Sequence, residues 1–215
     1  GFHGYIDTLM GINNNLKQKK LNKCSFKKKI TFKLKNMYHP TIKTPIKNSI
    51  NMNKNIIITG PNAAGKTTTI KATIINLLLT QQLGLGFFDK CQTSTFDYIH
   101  SYLNIPDSCS RDSLFQAEAR RCKDILDCIN KYPDKKHFCI FDELYSGTNP
   151  YEAISSAFSY LDYISKNPNV RFLLTTHFIK LCTLFEKKSK IINKSMKTME
   201  DQNKNPVYTY KITNG

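Results

Sequence analysis

At 215 residues the chain is long enough for one α/β domain with a sizeable core, with room for a small appended lobe. Lys and Arg outnumber Asp and Glu by 32 to 16, giving a net charge of +16, an excess that favours polyanionic partners. No run approaches the roughly 18 apolar residues of a membrane span, which excludes a helical membrane protein. Charge alone leaves two explanations open: attraction to nucleic acid, and a composition rich in Lys, Asn and Ile throughout. The seven cysteines (Cys24, Cys91, Cys109, Cys122, Cys128, Cys139, Cys182) follow no C-x-x-C spacing, and several sit in apolar runs such as Phe138-Cys139-Ile140. Reduced, buried thiols of an intracellular protein are expected from this, not a zinc site.

The opening, GFHGYIDTLM, has no initiating Met and no signal-peptide architecture, and reads as a piece of a longer chain. It carries a short helical pattern (Tyr5, Ile6, Leu9, Met10) that fades into three asparagines. From residue 29 to 35 apolar and lysine positions alternate, which predicts a half-buried antiparallel strand with either a solvated or a phosphate-facing lysine row. Tyr38-His39-Pro40 and Pro45 mark a loop, and Tyr38 and His39 are candidates to stack on a nucleotide base. Residues 86–97 suit a strand and a polar loop carrying Gln92, a further candidate for nucleotide contact. Residues 101–111 read as a polar lobe loop, and Ser113 with Gln116 forms a capping-box pattern opening a helix to residue 130. Residues 137–142 and 170–175 are apolar enough for buried strands, with a helix between them over 151–166. A short helix over 178–187, a Lys/Asn-rich connection over 190–205 and a final alternating strand over 207–212 complete the chain. Strands alternating with helices predict a mostly parallel central sheet with flanking helices.

The stretch NIIITGPNAAGKTTTI carries the chemistry. Three β-branched residues make a strand, the turn runs from Gly60 to Gly65, and Lys66 and Thr67 open a helix, which meets the full P-loop pattern with both flanks. Such a turn presents backbone N–H groups and a helix N-terminus to phosphate, so Gly60, Pro61, Asn62, Ala63, Ala64, Gly65, Lys66, Thr67 and Thr68 are expected to hold ATP. Lys66 would reach the β/γ-phosphates and Thr67 would ligate Mg²⁺. Four apolar residues ahead of Asp142 and Glu143 fit the second phosphate element, with Asp142 on Mg²⁺ and Glu143 as the base or positioner for water. His177, just beyond a buried strand, stands where a third polar group near the γ-phosphate belongs.

This order of P-loop, strand-Asp-Glu and strand-x-His resembles an ABC-type ATPase head. The surrounding text is similar to the C-terminal ATPase domain of the MutS family of DNA mismatch repair proteins. GPNAAGKTT resembles its P-loop, Tyr38-His39-Pro40 its upstream His-Pro, and SLFQAEARRCKDIL the S-x-F-x-x-E signature helix. DELYSGTNPYEA and LLTTHF match two further runs, so the likeness covers nearly the whole chain. The departures are Ala63-Ala64, in place of a more usual Met/Gly-Gly, and Ser146, where the family normally has Arg.

The resemblance implies a P-loop NTPase of ABC-ATPase type, with a mostly parallel central sheet plus an antiparallel β subdomain. Residues 1–21 would be the tail of a preceding helical region, and 22–215 the ATPase domain. It also implies Mg²⁺-dependent ATP hydrolysis coupled to DNA, and a homo- or heterodimer in which Ser113 contacts the partner's nucleotide in trans. An ABC head of a chromosome-maintenance or transport protein is the alternative, but the LSGGQ signature of those families is missing. A P-loop kinase would need lid arginines that no stretch here supplies.

Overall fold

The computed structural model describes residues 1–103 and 114–215. In chain order the elements open with α1 (Phe2–Lys17), β1 (Asn22–Phe26), β2 (Phe32–Met37), β3 (Asn48–Asn51) and β4 (Asn55–Thr59). Next come α2 (Lys66–Leu83), β5 (Leu85–Gly86), β6 (Lys90–Thr93), β7 (Tyr98–Tyr102), α3 (Leu114–Lys131) and β8 (His137–Asp142). The last are α4 (Pro150–Ser165), β9 (Val170–Thr176), α5 (Ile179–Phe185), β10 (Ile191–Glu200) and β11 (Pro206–Asn214). They form a mixed α/β structure with two sheets, divided into one unit of residues 1–51 and 71–95 and another of residues 52–70 and 96–215. No helix among the described residues is long and apolar enough to cross a membrane.

The first unit holds a five-stranded sheet in the order β3-β2-β6-β1-β5. The alternation that predicted a strand is realised in β2, where Phe32 and Leu34 are buried. A register irregularity between Leu34 and Met37, with Asn36 at φ +54°, then turns Met37 inward as well. Asn tolerates that left-handed backbone better than most residues, and the extra residue bends the strand. The sheet is mixed rather than purely antiparallel, because β1 runs parallel to β6. A parallel pair needs a long crossover, and the chain between these two strands provides one. Gln92 therefore lies within β6, opposite Lys33 and Ser25, and not on a loop. None of the residues of α1 is buried.

The second unit holds a six-stranded sheet in the order β11-β10-β4-β9-β8-β7. Every neighbouring pair from β10 to β7 is parallel, and β11 returns antiparallel on β10. Consecutive residues of β4, β8 and β9 are buried, which is why these strands read as unbroken apolar runs rather than alternating ones. The core lies between Ile57, Phe141, Phe172 and Leu174 of the sheet and the apolar sides of three helices. These sides are Cys122, Ile125 and Ile129 of α3, Ala157 and Leu161 of α4, and Leu181 and Phe185 of α5. Helix α4 starts as its sequence dictates: Asn149 accepts from the Glu152 amide at 3.0 Å and Pro150 takes the first position.

Two strands depart from expectation. Residues 98–102, part of which read as a polar loop, form the edge strand β7, and the Lys/Asn-rich connection contains the ten-residue β10. In β10 only Ile191 and Met196 are buried, so its place beside β4 comes from backbone pairing and not from an apolar pattern. All six described cysteines (Cys24, Cys91, Cys122, Cys128, Cys139 and Cys182) are free thiols, as expected.

Strands β7 and β8 also bury a histidine pair. His100 Nε2 lies 3.0 Å from His137 Nδ1, and Tyr98 stacks on His137 with ring centroids 5.0 Å apart. Burial, followed by the neighbouring His137 and the Arg121 charge, holds the His100 imidazole down at about 4. Its unfolded value is about 6.5, so the unfolded chain takes up a proton that the native state refuses. Stability from this group is fully present above about pH 6.5 and is lost as pH falls toward the folded value. The melting temperature should therefore drop across that window, and His100→Gln should flatten the drop. An unchanged slope in the variant would assign the acid loss to other groups.

Candidate nucleotide-binding site

The parallel order of β4, β9 and β8 brings their C-terminal ends, and the loops that follow them, to one edge of the sheet. The loop after β4 spans residues 60–65 and enters α2 at Lys66. Its two glycines are required by close approach and by backbone conformation. A Cβ on Gly60 would stand 2.9 Å from Met196 Cβ; one on Gly65, where φ is +94°, would stand 3.0 Å from the Tyr210 ring. Ala63 takes φ +65° between them, while Pro61, Asn62 and Ala63 are exposed and Ala64 is buried.

Lys66 is only 5% exposed. Its Nζ donates to the Gly60 carbonyl at 2.8 Å and the Pro61 carbonyl at 3.2 Å, and lies 3.5 Å from Glu143 Oε1. The ammonium is thus tied to its own loop and is not a charge standing in solvent. One residue on, Thr67 Oγ1 donates to Asp142 Oδ2 at 2.9 Å. The other Asp142 oxygen accepts from the Thr175 hydroxyl, so the carboxylate at the end of β8 is bound from both α2 and β9. Glu143 follows at φ +53°, a left-handed conformation unfavourable for a residue with a Cβ, and its amide donates to Thr175 O at 3.0 Å. His177, just past β9, places Nδ1 3.7 Å from Glu143 Oε1.

Two clefts share Thr67 and Glu143. The larger, of about 380 Å³, is lined by Asn62, Ala63, Gly65, Lys66, Thr67, Thr68, Glu143 and Tyr210. The smaller, of about 260 Å³, is lined by Thr67, Tyr102, Leu114, Glu118, Asp142, Glu143 and Ser146. A phosphate-sized anion in the larger cleft would face the Lys66 charge and the first turn of α2. The donor set at Thr67 and Asp142, a hydroxyl and a carboxylate, suits a small hard cation that prefers oxygen.

The structure brings together Lys66, Thr67, Asp142, Glu143 and His177. Tyr38, His39 and Gln92 belong to the other unit, each with local partners. Tyr38 donates its hydroxyl to Lys20 O at 2.8 Å and meets Phe87 edge-on, and His39 Nδ1 lies 2.9 Å from Thr41 Oγ1. Ser113 lies outside the described residues, and α3 is described from Leu114.

Sequence reasoning missed three residues. Tyr210, in the strand after the unrecognised β10, lines the larger cleft. Thr175 secures Asp142 but reads as an ordinary strand residue. Glu118, the last letter of the S-x-F-x-x-E run, is 2% exposed and accepts from Ser146 N at 3.0 Å, Ser146 Oγ at 3.1 Å and Gly147 N at 3.1 Å. A carboxylate in an amphipathic helix normally faces solvent; this one faces inward and fixes the loop after β8.

Residues 56–215 match the family model described as MutS domain V. Over 199 residues, covering 90% of this chain and 25% of the relative, the chain is 30% identical to Endonuclease MutS2 of Staphylococcus epidermidis. Identity to Endonuclease MutS2 of Staphylococcus haemolyticus is 31% over the same shares. A third, from Staphylococcus aureus, is 32% identical over 184 residues, covering 83% of this chain and 23% of the relative. The chain thus spans about a quarter of the length of the curated relatives it matches.

Replacing Glu118 by Ala removes the acceptor for three donors at once. The loss should be about 3 kcal/mol, within the cost of leaving buried donors unsatisfied beside a deleted charge. Glu118→Gln, which keeps one oxygen, should lose less. Urea unfolding of the two variants checks the order, and equal losses would mean that the retained amide oxygen contributes nothing and that the full carboxylate is needed to hold the loop.

Proposed function

The chain belongs to the MutS family, and from that premise we propose that it is an ATP-binding and ATP-hydrolysing domain of ABC type. In this reading residues 22–215 are the ATPase domain and residues 1–21 the tail of a preceding helical region, an assignment supported by the absence of any buried residue in α1. One observation carries the proposal: the P-loop Thr67 hydroxyl bonds Asp142 at 2.9 Å while Glu143 lies 3.5 Å from Lys66.

In the mechanism Lys66 leaves its loop carbonyls and, with backbone N–H groups of the loop other than at Pro61, which has none, neutralises the phosphates. Thr67 and Asp142 hold Mg²⁺ through oxygen. When bound, that ion supplies charge neutralisation on the phosphate oxygens. Glu143 takes or orients the proton of the attacking water, and His177, 3.7 Å from its carboxylate, orients Glu143 or the water. Tyr210 offers an aromatic wall to the same cleft, a place for the base that Tyr38 and His39 were expected to supply.

Further proposals rest on family likeness. ATP binding drives two heads together, as a homo- or heterodimer, with Ser113 reaching the partner's nucleotide; hydrolysis then resets a DNA-bound state. The DNA-linked activity is mismatch recognition. A second reading comes from the relatives, which are named Endonuclease MutS2. Stimulation of ATP turnover by a mismatched over a perfectly paired duplex favours the first, and strand cleavage favours the second.

Lys66→Ala should lower ATP affinity about 100-fold, equivalent to roughly 2.7 kcal/mol. Glu143→Gln should keep binding and slow turnover by about 10²-fold or more. Titration of a fluorescent ATP analogue and steady-state phosphate release separate the two. Wild-type affinity in the first variant would remove the P-loop assignment, and wild-type turnover in the second would pass the water to His177.

The composite site has its own test. Ser113→Ala should spare ATP binding by the monomer but weaken ATP-dependent dimerisation and hydrolysis. Mixed with Lys66→Ala, it rebuilds one site with an intact P-loop and an intact serine, so activity should return in part. No recovery at concentrations where the wild type dimerises counts against the arrangement, and full activity in a strictly monomeric sample overturns it.

A further inference from the structure

The buried histidines of β7 and β8 face a cysteine. His100, Cys128 and His137 present ligand atoms that all lie within 4.8 Å of one another, the one such group of three among the described residues. We propose that His100, His137 and Cys128 form a binding site for a zinc-class, borderline-soft divalent cation, distinct from the Mg²⁺ site.

The local geometry is that of ligands held ready. His100 Nε2 and His137 Nδ1 point at each other across 3.0 Å. With metal–nitrogen distances of about 2.0 Å, tetrahedral coordination sets two nitrogens about 3.3 Å apart. To admit an ion the N–H between the rings must leave, the nitrogens must part by a few tenths of an ångström, and the rings must tilt so that both lone pairs meet off the N···N line. The far nitrogen of His137, Nε2, lies 2.9 Å from the Tyr132 carbonyl. Metal-bound imidazoles commonly donate their other N–H to a carbonyl, which fixes tautomer and ring direction. Stacking of Tyr98 on His137 at 5.0 Å, and of Tyr132 on Tyr98 at 5.2 Å, holds the rings further. Cys128, half-buried on α3, brings the thiolate from the helix that covers this side of the sheet.

The chemistry selects the ion. Two imidazoles and a thiolate suit zinc and its neighbours, and they repel magnesium, which requires oxygen. The distance argues the same way. His137 opens β8 and Asp142 closes it, so the two sites stand at opposite ends of one strand, about 16 Å apart at the usual rise per residue. Three protein ligands leave a fourth position for water. The ion would tie α3 to β7 and β8 and stabilise the native state, because the unfolded chain does not bring the ligands together. Sequence spacing could not show this: the pairing of β7 with β8 brings His100 and His137 together and α3 carries Cys128 to them, with no C-x-x-C run.

The test uses the intact chain, stripped of metal with a chelator and titrated with Co²⁺ without nucleotide. One equivalent should bind, with a near-ultraviolet thiolate-to-cobalt band and the strong visible bands of tetrahedral cobalt. Zn²⁺ should displace it and raise the melting temperature with the logarithm of free zinc above its dissociation constant. His137 is fully buried and its variants need not fold, so Cys128→Ser and His100→Gln carry the test. Cys128→Ser should abolish the thiolate band and lower zinc affinity by about 100-fold or more, as loss of one anionic ligand requires. His100→Gln should weaken zinc binding but keep the band. Cys24→Ser should change neither. Three results each overturn the proposal: no saturable equivalent, a band that survives Cys128→Ser, or a band lost in Cys24→Ser. The last would place the ion at Cys24 and Cys91, whose sulfurs lie 3.1 Å apart.

Discussion

The grip on Asp142 organises the second unit. This carboxylate ends β8, accepts from Thr67 on the first turn of α2, and accepts again from Thr175 near the end of β9. An ionised carboxylate only accepts, and each bond to it contributes about 1.5–3 kcal/mol. Two such bonds bind together the ends of three chain segments whose order in the sheet is β4-β9-β8. The constraint is topological before it is chemical. Only a parallel arrangement sends the loops after β4, β8 and β9 to one edge, so the P-loop, Glu143 and His177 share a site despite lying far apart in sequence.

That arrangement holds a strained turn in place. Glu143 and Tyr145 both take positive φ, +53° and +59°, at about 1–2 kcal/mol each for residues with a Cβ. Such backbone persists where surrounding bonds over-determine it. Here the Glu143 amide is held by Thr175 O, the Tyr145 amide by the Tyr102 hydroxyl at 3.3 Å, and Ser146 and Gly147 by Glu118. A Cβ on Gly147 would also strike Leu114 Cγ at 2.7 Å, so α3 fits closely over the turn. The strain serves the site: the sharp turn sends the Glu143 side chain back toward Lys66 and His177 instead of out along the strand.

What could be read from the sequence follows from where the information lies. Strands β4, β8 and β9 are legible because central parallel strands bury residues on both faces, all but one in each strand here, and so appear as apolar runs. The start of α4 is legible because Asn149-Pro150 states its own cap. The P-loop is legible because a phosphate turn permits few residues at Gly60 and Gly65. By contrast β7 and β10 escape notice. Apart from His100, Tyr102, Ile191 and Met196 their side chains are half-buried or exposed, and pairing with β8 and β4 through the backbone leaves no trace in the side-chain pattern. Glu118 was visible as a motif letter, but its function depends on a loop 28 residues away.

The missed strand β10 has the largest consequence, because it pairs with β11 beside the P-loop. Strands β10 and β11 bring Met196 and Tyr210 onto the P-loop, and these two side chains leave no room for a Cβ at Gly60 or Gly65. The glycines are therefore needed not only for a turn around phosphate but also because a sheet edge presses on the turn from outside. Tyr210 itself sits at φ +57°, an unfavourable backbone for an aromatic residue, and it lines the cleft beside Asn62 and Ala63. The wall of the cleft is thus built by β11, which is held in place by β10, a strand whose Lys- and Asn-rich sequence resembles a linker. Its polar composition follows from its position: β11 is an edge strand, and the far half of β10 is exposed, so burial asks little of either. Pairing places the segment, and close contact with the P-loop glycines gives it a role.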